Sequence, residues 1–198
     1  MPVYASPNGF VPVQRRDGMP YAGATREYPI ANAYNTQLRQ GDLVRVTTAG
    51  ALAKAADTDT IPTTTGGFMG VFMGCSYTDA ALGKTYRTYW TASTAATDAM
   101  AFIADDPKLV FRAVYVSTGV TVSAQTRAAT IGKNVAVEQN TTKTKTSDIA
   151  VTGIAATATL PFRVLDVDPD SAATLTTYTA LFITYGIAAH AYDCIAPT

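Results

Sequence analysis

Turn signals recur along this chain about every 8–15 residues, a spacing that suits short strands. Gly41-Asp42, Ala49-Gly50, Gly66-Gly67, Asp105-Asp106-Pro107 and Asp168-Pro169-Asp170 are spread along it. Each has a mechanism: glycine supplies a left-handed turn, aspartate bonds its own backbone, and proline presets φ. The strand-like stretches flanking them are rich in Val, Ile, Tyr, Phe and Thr, residues that fit a pleated, half-buried surface. Composition agrees. Ala (34) and Thr (32) make up a third of the 198 residues, while charged residues reach only 15%. Too few charges oppose collapse for a disordered chain, and β-branched residues lose rotamer freedom in helices. The chain is long enough to bury a real core.

The segments read as follows. Residues 43–47 and 51–55 form a hairpin, and the polar run 57–65 is a loop. Residues 68–75 (FMGVFMGC) make the most apolar stretch of the first half and read as a central strand buried on both faces, with Phe72 in the core. Residues 85–90 (TYRTYW), 100–104, 109–116, 135–138, 162–167 and 178–185 are further strands, with Phe111 a second core residue. A single helical turn is weighed against loop at 123–129, and 139–148 is a Thr/Lys-rich loop. About nine short strands between such turns predict an all-β fold, a β-sandwich or a jelly-roll-like barrel. No internal repeat of fixed period is present.

Residues 1–25 differ from the rest. Four prolines and three glycines punctuate isolated apolar residues without period, which predicts an extended N-terminal arm and not a sheet strand, ahead of a β domain over 26–198. Tyr4, Phe10, Val11, Val13, Met19 and Tyr21 would gain nothing on a free tail. The arm is therefore expected to lie on its own domain or on a neighbour.

Charge argues about partners. Fifteen basic and fifteen acidic residues cancel, whereas a nucleic-acid binder shows a basic excess because phosphate neutralisation supplies most of its affinity. Neutrality with few charges leaves little repulsion between copies, a hint of an assembly component. No apolar run reaches the ~20 residues of a membrane-spanning helix. No secretory signal pattern opens the chain, so synthesis in the cytosol is expected. Cys75 and Cys194 fall in no recognisable spacing and read as buried free thiols ahead of a disulfide.

Chemistry-bearing motifs are sparse. His190 is the only histidine, and no serine elbow accompanies it; it reads as an ordinary strand-end residue. One histidine and two distant cysteines do not make a zinc site. Asp166, Asp168 and Asp170 alternate as in a calcium loop but lack its glycine and distal glutamate, so an acidic turn is the better reading. The glycines of residues 66–70 precede a strand and lack the following lysine of a phosphate-binding loop. Asp105 and Asp106 are adjacent and would point to opposite faces of a strand. The expectation is a non-enzymatic protein without metal or cofactor.

Arg26-Glu27-Tyr28-Pro29-Ile30-Ala31, Tyr34-Asn35-Thr36, Gly41-Asp42-Leu43-Val44, the run from Phe68 to Tyr77, Tyr89-Trp90 and Ala104-Asp105-Asp106-Pro107 before Phe111 come in an order and spacing of their own. Together they resemble the head decoration, or structural cement, proteins of tailed bacteriophages, loosely over residues 8–116. The resemblance implies a capsid decoration protein that sits on the outside of an icosahedral head as a dimer or trimer. There it would bridge major capsid subunits against the pressure of packaged DNA, with the virion as its location. Phe10, Arg15, Arg16, Tyr21 and Arg26 are the residues expected to meet a partner. The competing reading is a receptor- or glycan-binding virion module, a head fibre or tail component, using Tyr86, Tyr89 and Trp90; their strand pattern favours core packing instead.

Overall fold

The structure is a computed structural model, and it describes residues 8–55, 67–116, 127–138, 150–157, 159–172, 178–186 and 189–193. The expected loops at 57–65 and 139–148 and Cys194 lie outside these. Among the described residues the chain forms fourteen strands, two four-residue helices, α1 (Arg127–Thr130) and α2 (Pro169–Ala172), and a 3-10 turn over Ala191–Asp193. The all-β expectation holds, and of sandwich and barrel it is a barrel that forms.

That barrel is built from the second half of the chain. The strands β10 (Leu109–Val116), β12 (Ala150–Ala155), β11 (Asn134–Glu138), β13 (Phe162–Val167) and β14 (Tyr178–Tyr185) pair in this order. It closes because β14 also pairs antiparallel with β10, from Val110↔Thr184 to Val116↔Tyr178. Closure removes the exposed sheet edges that invite aggregation.

The first half forms a second sheet. Its order is β2 (Arg26–Pro29), β9 (Met100–Ala104), β6 (Gly70–Asp79), β4 (Leu43–Val46) and β5 (Leu52–Lys54), with β7 (Gly83–Arg87) paired to the far part of β6. A parallel bridge from Ile30 to Leu52 brings the two ends of this sheet back together. A small ladder joins β3 (Leu38–Arg39) to β8 (Tyr89–Trp90). The single strand expected at 85–90 is thus two, broken at Thr88.

Alternation along the shared strands explains how the halves meet. Leu43, Val71 and Ala104 belong to one buried cluster, with Phe111, Phe162, Val164, Leu181 and Ile183 of the barrel. Their chain neighbours Val44, Phe72 and Ile103 belong to a second, with Leu38, Leu52, Trp90 and Ala101. Successive side chains of a strand point to opposite faces, so β4, β6 and β9 form a wall with a core on each side. The near-continuous apolar run at 68–75 reflects this double burial. Gly70 sits where the wall is tightest: a Cβ there would lie 2.4 Å from the Ala104 carbonyl oxygen. Phe72 and Phe111 are both fully buried, as expected.

The N-terminal segment corrects the sequence reading. Val11–Arg15 is a strand, β1, paired antiparallel with β10, and a register shift between Pro12 and Gln14 lets the proline be accommodated at the sheet's edge. The chain then turns back on itself, with Arg15 N–H donating to Met19 O (2.8 Å) and Tyr21 N–H to Val13 O (3.0 Å). Proline excludes a central strand but not an edge strand. Phe10 is 1% exposed and packs on Phe111 and Phe162. Gly41 makes room for its backbone: Phe10 N–H donates to Gly41 O at 3.0 Å, and a Cβ on Gly41 (φ +94°) would meet Gly9 and Asn8 within 3.1–3.2 Å.

Candidate functional site

Three elements converge where the N-terminal and C-terminal segments meet. The alternation of β2 puts Arg26 and Tyr28 on one face of that strand. Asp105 follows the end of β9, at the Asp-Asp-Pro turn. Tyr192 lies in the 3-10 turn, which Phe68 fixes through Phe68 N–H to Ala189 O (2.9 Å) and Ala191 N–H to Phe68 O (2.8 Å). Tyr192 N–H also donates to Nδ1 of the buried His190 at 3.2 Å.

Asp105 is the hub. Its Oδ2 accepts from the Tyr192 hydroxyl at 2.7 Å and the Tyr28 hydroxyl at 2.9 Å, and the two hydroxyls are 2.9 Å apart. Arg26 Nη1 donates to the Tyr192 hydroxyl at 2.8 Å, and its Nε lies 3.5 Å from Asp105 Oδ2. Burial, with the nearby carboxylate, pushes the Tyr28 and Tyr192 hydroxyls above the usual phenol range, so both remain protonated donors at neutral pH. A cleft of about 370 Å3 beside them is lined by Thr25, Arg26, Asp105, Asp106, Pro107 and Tyr192. Asp106 points away to Arg15, whose Nε is 2.9 Å from its Oδ2. The arrangement clasps residues far apart in sequence, 77 and 87 positions in the Asp105 bonds.

Behind the clasp Tyr185 is 3% exposed, ringed by Phe111, Phe162 and His190. Its hydroxyl has no hydrogen-bond partner among the described residues. An unsatisfied buried hydroxyl costs about 1–3 kcal/mol. Tyr185→Phe is therefore expected to leave stability unchanged or raise it by up to about 1 kcal/mol, read as the midpoint of urea unfolding; a loss above about 1 kcal/mol would mean the hydroxyl is bonded in solution.

The residues singled out from sequence are placed as follows. Phe10 is interior and so unavailable to a partner. Arg15 pairs with Asp106 and Asp17, and Arg16 donates to Pro107 O. Tyr21 donates its hydroxyl to Ala24 O at 3.0 Å. Only Arg26 joins the clasp. Arg15, Arg16 and Arg26 thus all meet the 105–107 turn. Asp166 and Asp168 pair with Arg127 (2.6 Å) and Arg112. Among the described residues no group of three or more His, Cys, Asp or Glu side chains is placed to hold a metal ion, and no helix is long and apolar enough to cross a membrane. Cys75 is a buried free thiol whose burial pushes it up to about 11. Trp90 is fully buried on Tyr77, whereas Tyr86 is 70% exposed, against the expected core packing; it stacks on Phe102 at 6.3 Å.

Sequence reasoning missed Tyr28, Asp105 and Tyr192 as a unit, because their proximity depends on strand order. It singles out Val11, Val13 and Met19 but not the hairpin that holds them: they are 44%, 37% and 60% exposed while Phe10 anchors the hairpin from inside. Comparison with protein-family models, curated proteins and solved structures found no match to this chain.

Proposed function

We propose that this protein decorates the head of a tailed bacteriophage, binding the outer surface of the shell and stabilising it by bridging major capsid subunits. The observation that carries the reading is the N-terminal hairpin. Phe10 fixes it in the core, and Val11, Val13 and Met19 stand in solvent on a pre-ordered strand and turn. A rigid apolar surface costs less to bind than a loose tail, since its ordering entropy is already spent on folding. The resemblance over residues 8–116 and the neutral, charge-poor composition support the same role. Repeated weak contacts multiply once one copy of a small oligomer is seated on a shell.

Purified protein added to undecorated heads should bind saturably, and decorated heads should survive a temperature ramp or divalent-ion removal that opens bare ones. Apolar contacts are weakly screened, so attachment should persist at about 1 M salt, where the Debye length is only ~3 Å. Equal melting of decorated and bare heads would sink the reading. A glycan-binding module is the second reading, and the exposed Tyr86 stacked on Phe102 favours it. Binding of free protein to a glycan array, with none to heads, would move the assignment there.

A further inference from the structure

The β6–β7 hairpin carries two features that suit a partner. The first is an open strand edge. From Asp79↔Gly83 to Cys75↔Arg87, β7 pairs with β6 along one side, and among the described residues its other side has no partner strand. The second is apolar exposure: Leu82 and Tyr86, at 69% and 70%, are the two most exposed large apolar side chains described, and both lie on this hairpin. An unpaired edge is a template for another strand, and exposed apolar groups beside it add area to bury.

We infer that β7 pairs antiparallel with β7 of a second copy about a two-fold axis at Thr85, making one continuous sheet across a dimer. The inference rests on the small-oligomer part of the decoration reading and deepens it by naming the symmetry and the strand. The strand suits itself as a partner. The register centred on Thr85 is the one that pairs all five residues, and it sets Lys84 against the second copy's Tyr86 and Arg87 against its Gly83. No like charges face each other, and each ammonium approaches an aromatic face. Lys84 is already balanced by Asp98, 3.4 Å away. Asp98 is itself held by the Thr78 hydroxyl and N–H at 2.7 and 3.0 Å. Tyr86 is kept in place by Phe102, so the outer face is ordered before it meets a partner.

Antiparallel partners have Cα atoms about 4.5–5.5 Å apart, within reach of a disulfide. The full chain carrying T85C, in a glutathione redox buffer, should therefore form a covalent dimer at least about tenfold faster than T91C, an exposed position outside β7, since the strand contact raises the local thiol concentration. Mixing K84C with Y86C should give mainly the mixed dimer, because those positions face each other across the axis. This second arm stands if T85C fails to fold. Equal rates for T85C and T91C, no preference for the mixed dimer, or cross-linking of T85C only to a capsid subunit on heads would each overturn the dimer. Head binding by a protein that fails these tests leaves the decoration reading standing. Dimers that pass them without binding heads uphold the dimer and sink that reading.

Discussion

Deleting residues 1–25 should abolish the cooperative fold, not trim a dispensable arm. The deletion removes Phe10, which packs against Phe111 and Phe162 at the centre of the barrel cluster, and with it the β1 pairing to β10. Phe10→Ala alone should cost about 3–5 kcal/mol, the range for emptying a filled aromatic site. Gly41 sits against the same backbone, so a void there cannot close by a simple shift of the neighbouring turn. Urea unfolding followed by tryptophan emission checks this, since Trp90 is buried. A truncated chain with an unchanged unfolding midpoint would mean Phe10 contributes nothing, and the segment would revert to the separable arm its prolines suggest.

That reversal marks where the sequence was legible and where it was not. Residues 100–104, 109–116, 162–167 and 178–185 form strands with the expected bounds, because their β-branched and aromatic residues are bounded by Asp-Pro or glycine turns with local mechanisms. Double burial of residues 68–75 was readable for the same reason: a run apolar at both alternations has no face to give to water. Pro12 misled because a missing donor excludes only an inner strand. The two-residue strand β3 and the glycine-containing β12 carry too few side chains to give any period. The split of 85–90 at Thr88 comes from β3 pairing there, a contact between residues about 50 positions apart.

The candidate site was less legible than the fold. Arg26 is expected to meet a partner, yet its setting depends on Tyr192, 166 positions away. The Asp105-Asp106 pair was read by strand alternation as two carboxylates facing apart, and they do diverge, one to the tyrosines and one to Arg15. What each meets is decided by the closure of the barrel and the bridge from Phe68 to His190, and no local pattern encodes either. The exposure of Tyr86 was hidden likewise, since an edge strand and an inner strand share the same composition until their neighbours are known.

Phe72→Ala and Phe111→Ala should lower one and the same melting transition, each by about 3–5 kcal/mol, although the two rings lie in different clusters. The reason is the shared wall. A strand cannot lose the core on one face and keep its register on the other, because a one-residue slip exchanges the faces. Loss of the barrel cluster removes the support of Leu43, Val71 and Ala104, and their neighbours Val44, Phe72 and Ile103 then have no fixed wall to project from. The Asp105 clasp adds a second tie, joining the end of β9 to the turn after the barrel's last strand. Calorimetry on both variants, with tryptophan emission reporting the Trp90 side, measures the coupling. Coincident transitions are expected in both. If Phe111→Ala melted the barrel while Trp90 stayed buried to the wild-type temperature, the wall would be holding a single core. The two halves would then be independent folding units joined only at their surfaces.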